Sequence, residues 1–227
     1  MIDFAIWEPR FAAYLTTSIF SDAAHDHEHI RRVVANARTL AAVSGANLDV
    51  IIPAAWLHDC VAVPKDSPQQ SLASTMSATS ASAFLAMSGY PPLLIPSIAH
   101  AIAAHSFTAG IAPLTLEARV VQDADRLESI GAVGIARCLM LGAQLGRPLY
   151  DPAEPFPVRR LADDSVSSVD HFFTKLLGLA ATMTTEAGRA EAERRTVFMR
   201  DFLRQLGHEI GVDFPDREPH APTSPHM

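Results

Sequence analysis

Apolar side chains recur at helical spacing along most of the chain, with Phe4, Trp7, Phe11 and Leu15 in a first segment and Ile30, Val33, Val34, Ala37 and Leu40 in a second. Both segments predict amphipathic helices. "GANLD", Gly45 to Asp49, joins a helix stop to a helix start, and Val50 to Val61 is apolar enough to predict a buried central helix ended by Val63-Pro64. Residues 69–88 predict a further helix, which Gly89-Tyr90-Pro91-Pro92 separates from one ending near His105. Leu114 to Leu127 predicts a helix opened by Thr115, and the stretch "SIGAVGIARCLMLGAQLG" after it has the small residues that permit close helix packing. Arg147 to Asp164 is rich in Pro, Asp and aromatic residues and predicts a long surface excursion. Two helices, near 169–185 and 186–211, close the chain. No strand-like alternation, internal repeat or Gly-rich phosphate loop occurs, so the expected architecture is a single all-α domain over 1–211, followed by a disordered Pro-rich tail at 212–227.

Composition narrows the classes of function. With 48% hydrophobic residues and a net charge of -7, the chain lacks the basic surface that holds extended nucleic acid. Cys60 and Cys138 are too few for a disulfide framework, and Asp3, Glu8 and Arg10 interrupt any secretory apolar region, so a cytoplasmic protein is expected. No apolar run approaches the roughly eighteen residues of a spanning helix, which predicts no membrane partner. The surfaces around Gly131 to Gly146 could support a homodimer.

Four places concentrate polar chemistry: "HDHEHIRRV" from His25, the pair His58-Asp59, "HAIAAHS" from His100, and "QDADRL" from Gln122. His29 and Arg32 share one helical face, so a metal ligand and a cation could meet the same anion. His58-Asp59 offers a nitrogen and an oxygen ligand from neighbouring positions, and Asp125 would add a carboxylate from a third helix. Such a mixed N/O set suits one divalent ion among Mn, Fe, Ni, Co, Zn and Mg, and leaves room for water and substrate. A buried Asp needs a partner, which favours a metal over a set of helix caps. Cys60, Trp7, Trp56 and Phe107 read as core or pocket-lining residues.

The order "HDxxHxxRV", "HD", "DADRL" resembles the HD superfamily of metal-dependent phosphohydrolases. The likeness to its single-domain bacterial YedJ-like group extends along most of residues 20–205, through "AAWLHDCVAVPK", "AHSFTAGIAPLTLEARVVQDADRLESIGAVGIAR" and "DHFFTKLLGLAATM". The resemblance implies that His29, His58, Asp59 and Asp125 ligate one metal, which activates water and neutralises charge on a phosphoryl group. It implies hydrolysis of a phosphate ester or anhydride in a small soluble substrate, a nucleotide foremost, with nucleoside triphosphate cleavage to monophosphate and pyrophosphate among the reactions of the class. Ala62 departs from the family pattern, which often has a water-activating carboxylate there. Asp26 and Asp123 are candidates to orient ligands or hold the water. Arg32, Lys65 and His105 are candidates to bind phosphate. Two further readings stand beside this one: a catalytically weak nucleotide-binding regulator, and a di-iron oxygenase using His100 or His105 as extra ligands.

Overall fold

The structure is a computed structural model that describes residues 2–18, 27–63 and 67–215. Among the described residues, α-helices and short 3-10 turns supply all the regular structure, as the periodicity predicts. The helices are α1 (Phe4–Ser18), α2 (His27–Ser44), α3 (Leu48–Leu57), α4 (Ala73–Met87), α5 (Ile95–His105), α6 (Leu116–Arg126), α7 (Gly131–Gln144), α8 (Ser168–Thr174) and α9 (Glu186–Ile210). They divide into two compact units, one of Met1–Leu127 with Thr184–Gly188, the other of Glu128–Met183 with Arg189–Met227. None of the described helices is long and apolar enough to cross a membrane.

The first unit is built around α3. Every residue from Val50 to Leu57 is buried, so this helix is apolar on all sides and packs against α1, α2, α5 and α6 at once. Its start is fixed by local chemistry. Gly45 adopts φ 73°, which ends α2, and the Asn47 side chain accepts from the Asp49 amide at 2.9 Å to cap the new helix. Thr115 caps α6 in the same way, accepting from the Ala118 amide at 3.1 Å. Trp56 is buried as expected and donates to Glu8 at 3.1 Å. Cys60 is likewise core. Phe107 stands 77% exposed, so of the two roles expected for it, core is ruled out.

In the second unit the excursion 147–164 is tied down by one fully buried carboxylate. Asp170 accepts from the Arg160 guanidinium, including a 2.8 Å bond from Nη2, from the Asp163 amide at 2.8 Å and from the Ser167 hydroxyl at 2.8 Å. The helix expected near 169–185 instead breaks at Lys175 (φ -141°, ψ -58°), after which Leu176–Thr182 winds as a 3-10 helix. The small residues of α7 do permit close approach: a Cβ on Gly134 would overlap the Ser129 carbonyl, and one on Gly142 would overlap the Ser168 hydroxyl. Gly134→Ala therefore forces backbone apart and should lower stability by about 1–3 kcal/mol, read as a reduced denaturant midpoint. An unchanged midpoint would show that the turn at Ser129 yields freely.

Candidate metal centre

Three helices of the first unit end at the same place. α3 stops at Leu57, earlier than the apolar run suggested, with His58 as its C-cap (φ -58°, ψ -36°). α5 ends at His105, and α6 carries Asp125 in its last turn. Helix C-terminal turns leave carbonyls without intrahelical donors, and side chains here supply several of them. His58 Nδ1 lies 2.8 Å from the Ala55 carbonyl and His105 Nδ1 lies 2.7 Å from that of Ile102. A carbonyl only accepts, so both rings carry their proton on Nδ1 for this bond. Gln122 Nε2 donates to Ala104 at 2.7 Å, tying α6 to the end of α5, and Asn36 Nδ2 donates to Ala124 at 3.3 Å, tying α2 to the end of α6.

The Nε2 atoms consequently point at carboxylates. His58 Nε2 is 3.5 Å from Asp59 and 3.8 Å from Asp125, His29 Nε2 is 3.5 Å from Asp125, and His105 Nε2 is 3.3 Å from Asp59. Two overlapping sets result, His29-His58-Asp125 and His58-Asp59-His105, each with donor atoms all within 4.8 Å of one another. The three imidazoles are buried, whereas the Asp59 and Asp125 side chains are 29% and 28% exposed, so the cluster opens to solvent on its carboxylate side.

The donor set fits a cation. His58 Nε2 is buried and has no hydrogen-bond partner, although it faces two carboxylates. With the proton committed to Nδ1, that nitrogen presents a lone pair to two acceptors, a repulsive arrangement unless something positive lies between them. A second proton is opposed: complete burial pushes the His58 pKa down, against the raising effect of Asp59 and Asp125. The ends of α3, α5 and α6 add the negative poles of three helix dipoles. Burial alone would also discourage a charge on His105, but the hydrogen bond and the charge of Asp59, aided by Asp125 and the Ile102 carbonyl, raise its pKa to about 9.

All four expected ligands, His29, His58, Asp59 and Asp125, thus meet in one cluster, and His105 joins them directly. Arg32 is half-buried on α2, one turn beyond His29. Asp123 is placed differently from its expected catalytic or orienting role. It lies two residues before Asp125 and so on nearly the opposite face of α6. There it is fully buried and accepts from the amides of Thr184 (2.9 Å) and Thr185 (2.8 Å) and from both hydroxyls (3.0 and 2.7 Å), holding the start of α9. Gly188 is required beside it, because a Cβ there would overlap the carboxylate. His100 is also spent elsewhere, its Nε2 accepting from the Leu114 amide at 3.0 Å. Asp26, Lys65, His25 and residues 216–227 lie outside the described residues. The orienting carbonyls of Ala55 and Ile102 escaped the sequence reading. Their signal is a histidine at a helix C-terminus, where the carbonyl three residues back wants a donor.

An all-helical bundle with histidines and aspartates gathered in this order is the arrangement of an HD domain, and the HD domain family model matches residues 27–130. The uncharacterized protein YpgQ of Bacillus subtilis (strain 168) is 34% identical over 204 residues, covering 86% of this chain and 91% of that one. The chain belongs to the HD superfamily. A crystal structure of B. subtilis YpgQ in complex with ADP superposes with a TM-score of 0.66 at 32% identity, over 88% of this chain and 93% of that one. An HD-superfamily hydrolase from Bacillus thuringiensis superposes with a TM-score of 0.69 at 31% identity, over 90% and 98%.

Two outcomes follow from this geometry. Asp123→Ala strands the two buried donors of Thr185 and the two part-buried donors of Thr184, and should cost about 3 kcal/mol in a denaturant titration while leaving metal uptake intact; intact stability with lost uptake would return Asp123 to the site. In chelator-treated protein, the raised His105 pKa means stability present in full below its ordinary value near 6.5 and lost as pH rises through about 9. That loss, on the order of 3 kcal/mol, should vanish in His105→Gln, and an identical pH profile in the variant would show that the Asp59 pairing is absent.

Proposed function

We propose that the chain is a metal-dependent phosphohydrolase acting on a phosphate anhydride or ester of a small nucleotide, nucleoside triphosphates foremost, with release of pyrophosphate. The observation that carries this reading is the buried, partnerless Nε2 of His58 set against two partly exposed carboxylates. His29, His58, Asp59 and Asp125 would hold one divalent ion, with Mn among the candidates. Bound there, it supplies Lewis-acid activation of water and neutralises phosphoryl charge. His58 has a single free lone pair, since Nδ1 serves Ala55. The two donor sets sharing His58 are therefore alternatives around one ion, which weighs against the di-iron reading.

The remaining roles fall to the chain's own groups. Arg32 and Lys65 bind phosphate oxygens, Arg32 from the same face of α2 as His29. His105 holds its Nε2 proton on Asp59 and would donate it to a substrate oxygen that takes the place of that carboxylate. Ala62 leaves the water without the carboxylate usual in the family, and Asp26 is the remaining candidate to take its proton. The ADP in the YpgQ complex supports a nucleotide as ligand. Mn-loaded protein should release pyrophosphate from nucleoside triphosphates, measured by a coupled phosphate assay with and without pyrophosphatase. Nucleotide binding with no phosphate or pyrophosphate from any compound of a broad panel would favour the regulatory module instead.

A further inference from the structure

Two residues next to the cluster form a contact that the metal does not need. Phe107 lies two residues beyond His105, in a turn that the Gly110 amide closes on the Phe107 carbonyl at 3.3 Å, with Gly110 at φ 65°. Arg126 directly follows Asp125 at the end of α6, half-buried, and its guanidinium carbon sits 5.7 Å from the centre of the Phe107 ring. The pair therefore joins the segment carrying His105 to the segment carrying Asp125. Among the described residues the large aromatic side chains left exposed are Phe107, at 77%, and Phe198, at 51%. A single exposed apolar residue usually needs no explanation. This one has its backbone fixed by a turn and a cation over its ring, and it neighbours a cluster suited to phosphate chemistry.

We infer that Phe107, positioned by Arg126, is the base-stacking residue of the substrate site and gives it preference for nucleotides over phosphate compounds lacking a base. A nucleobase offers a flat π-face that a preplaced aromatic ring receives at little entropic cost, and the stacking is tolerant of base identity. Arg126 supplies the second element: its planar cation holds the ring by a cation–π contact and keeps positive charge beside the path of the phosphates. Substrate selection then has two parts, phosphate on the His29-Arg32 side and base on Phe107. This inference rests on the phosphohydrolase reading for its phosphate half.

The test compares ADP with inorganic pyrophosphate, which lacks the nucleoside, by calorimetric titration of the full Mn-loaded chain. Phe107→Ala should weaken ADP binding about tenfold, leave pyrophosphate binding unchanged, and be restored by Phe107→Tyr. Because the side chain is largely exposed, the variant should fold as the wild type does, which thermal denaturation checks. Equal ADP affinity in wild type and variant would overturn base stacking alone. Equal weakening of both ligands would also overturn it, since a stacking residue has nothing to offer pyrophosphate. A wild-type chain that binds neither compound would overturn this inference together with the phosphohydrolase reading.

Discussion

A fully buried histidine has two ring nitrogens to satisfy, and for His58 the backbone satisfies only one. The Ala55 carbonyl takes Nδ1, so Nε2 is left as a bare lone pair facing the oxygens of Asp59 and Asp125. Desolvation opposes protonating the ring, and two acceptors cannot satisfy a third. A divalent cation resolves all of these conflicts at once. The fold of the first unit is arranged to produce this conflict. α3 is buried on every side, so its C-terminal end cannot escape to solvent, and α5 and α6 finish beside it with their own negative poles.

The second consequence concerns precision. Side chains on loops wander, whereas those of this cluster stand on or beside helix ends, and the free carbonyls at the ends of α3, α5 and α6 are tied by side chains. Gln122 fastens α6 to α5, Asn36 fastens α2 to α6, and the histidines fasten themselves. Asp123 completes the frame by holding the start of α9 through the amides and hydroxyls of Thr184 and Thr185. The two aspartates of "DAD", two residues apart, thus divide the work by helical geometry, one facing the cluster and the other the packing.

Much of this was legible in the sequence because it rests on periodicity and local caps. The helix over Leu116–Arg126 announces itself by Thr115, and α3 by Asn47 and an unbroken apolar run. The clustering of the four expected ligands was legible through motif order, since His29, the His58-Asp59 pair and Asp125 are far apart in sequence and only a known pattern joins them. What failed to show was whatever depends on where a side chain turns. Asp123 looked like a group that orients ligands or holds the water because sequence does not record which donors lie across the fold. Phe107 read as core or pocket-lining, and sequence alone could not show that its ring stands exposed. Lys175 stops a helix that the composition of 169–185 would have continued, a tertiary override of propensity.

The central claim is that one cation resolves the buried conflict at His58. Metal content per chain, measured by elemental analysis on protein purified without chelator and on its Asp125→Ala variant, tests it most directly. The account predicts about one divalent metal in the wild type and essentially none in the variant. Full metal content retained by Asp125→Ala, or a wild type that takes up no divalent ion even when one is supplied in excess, would contradict it.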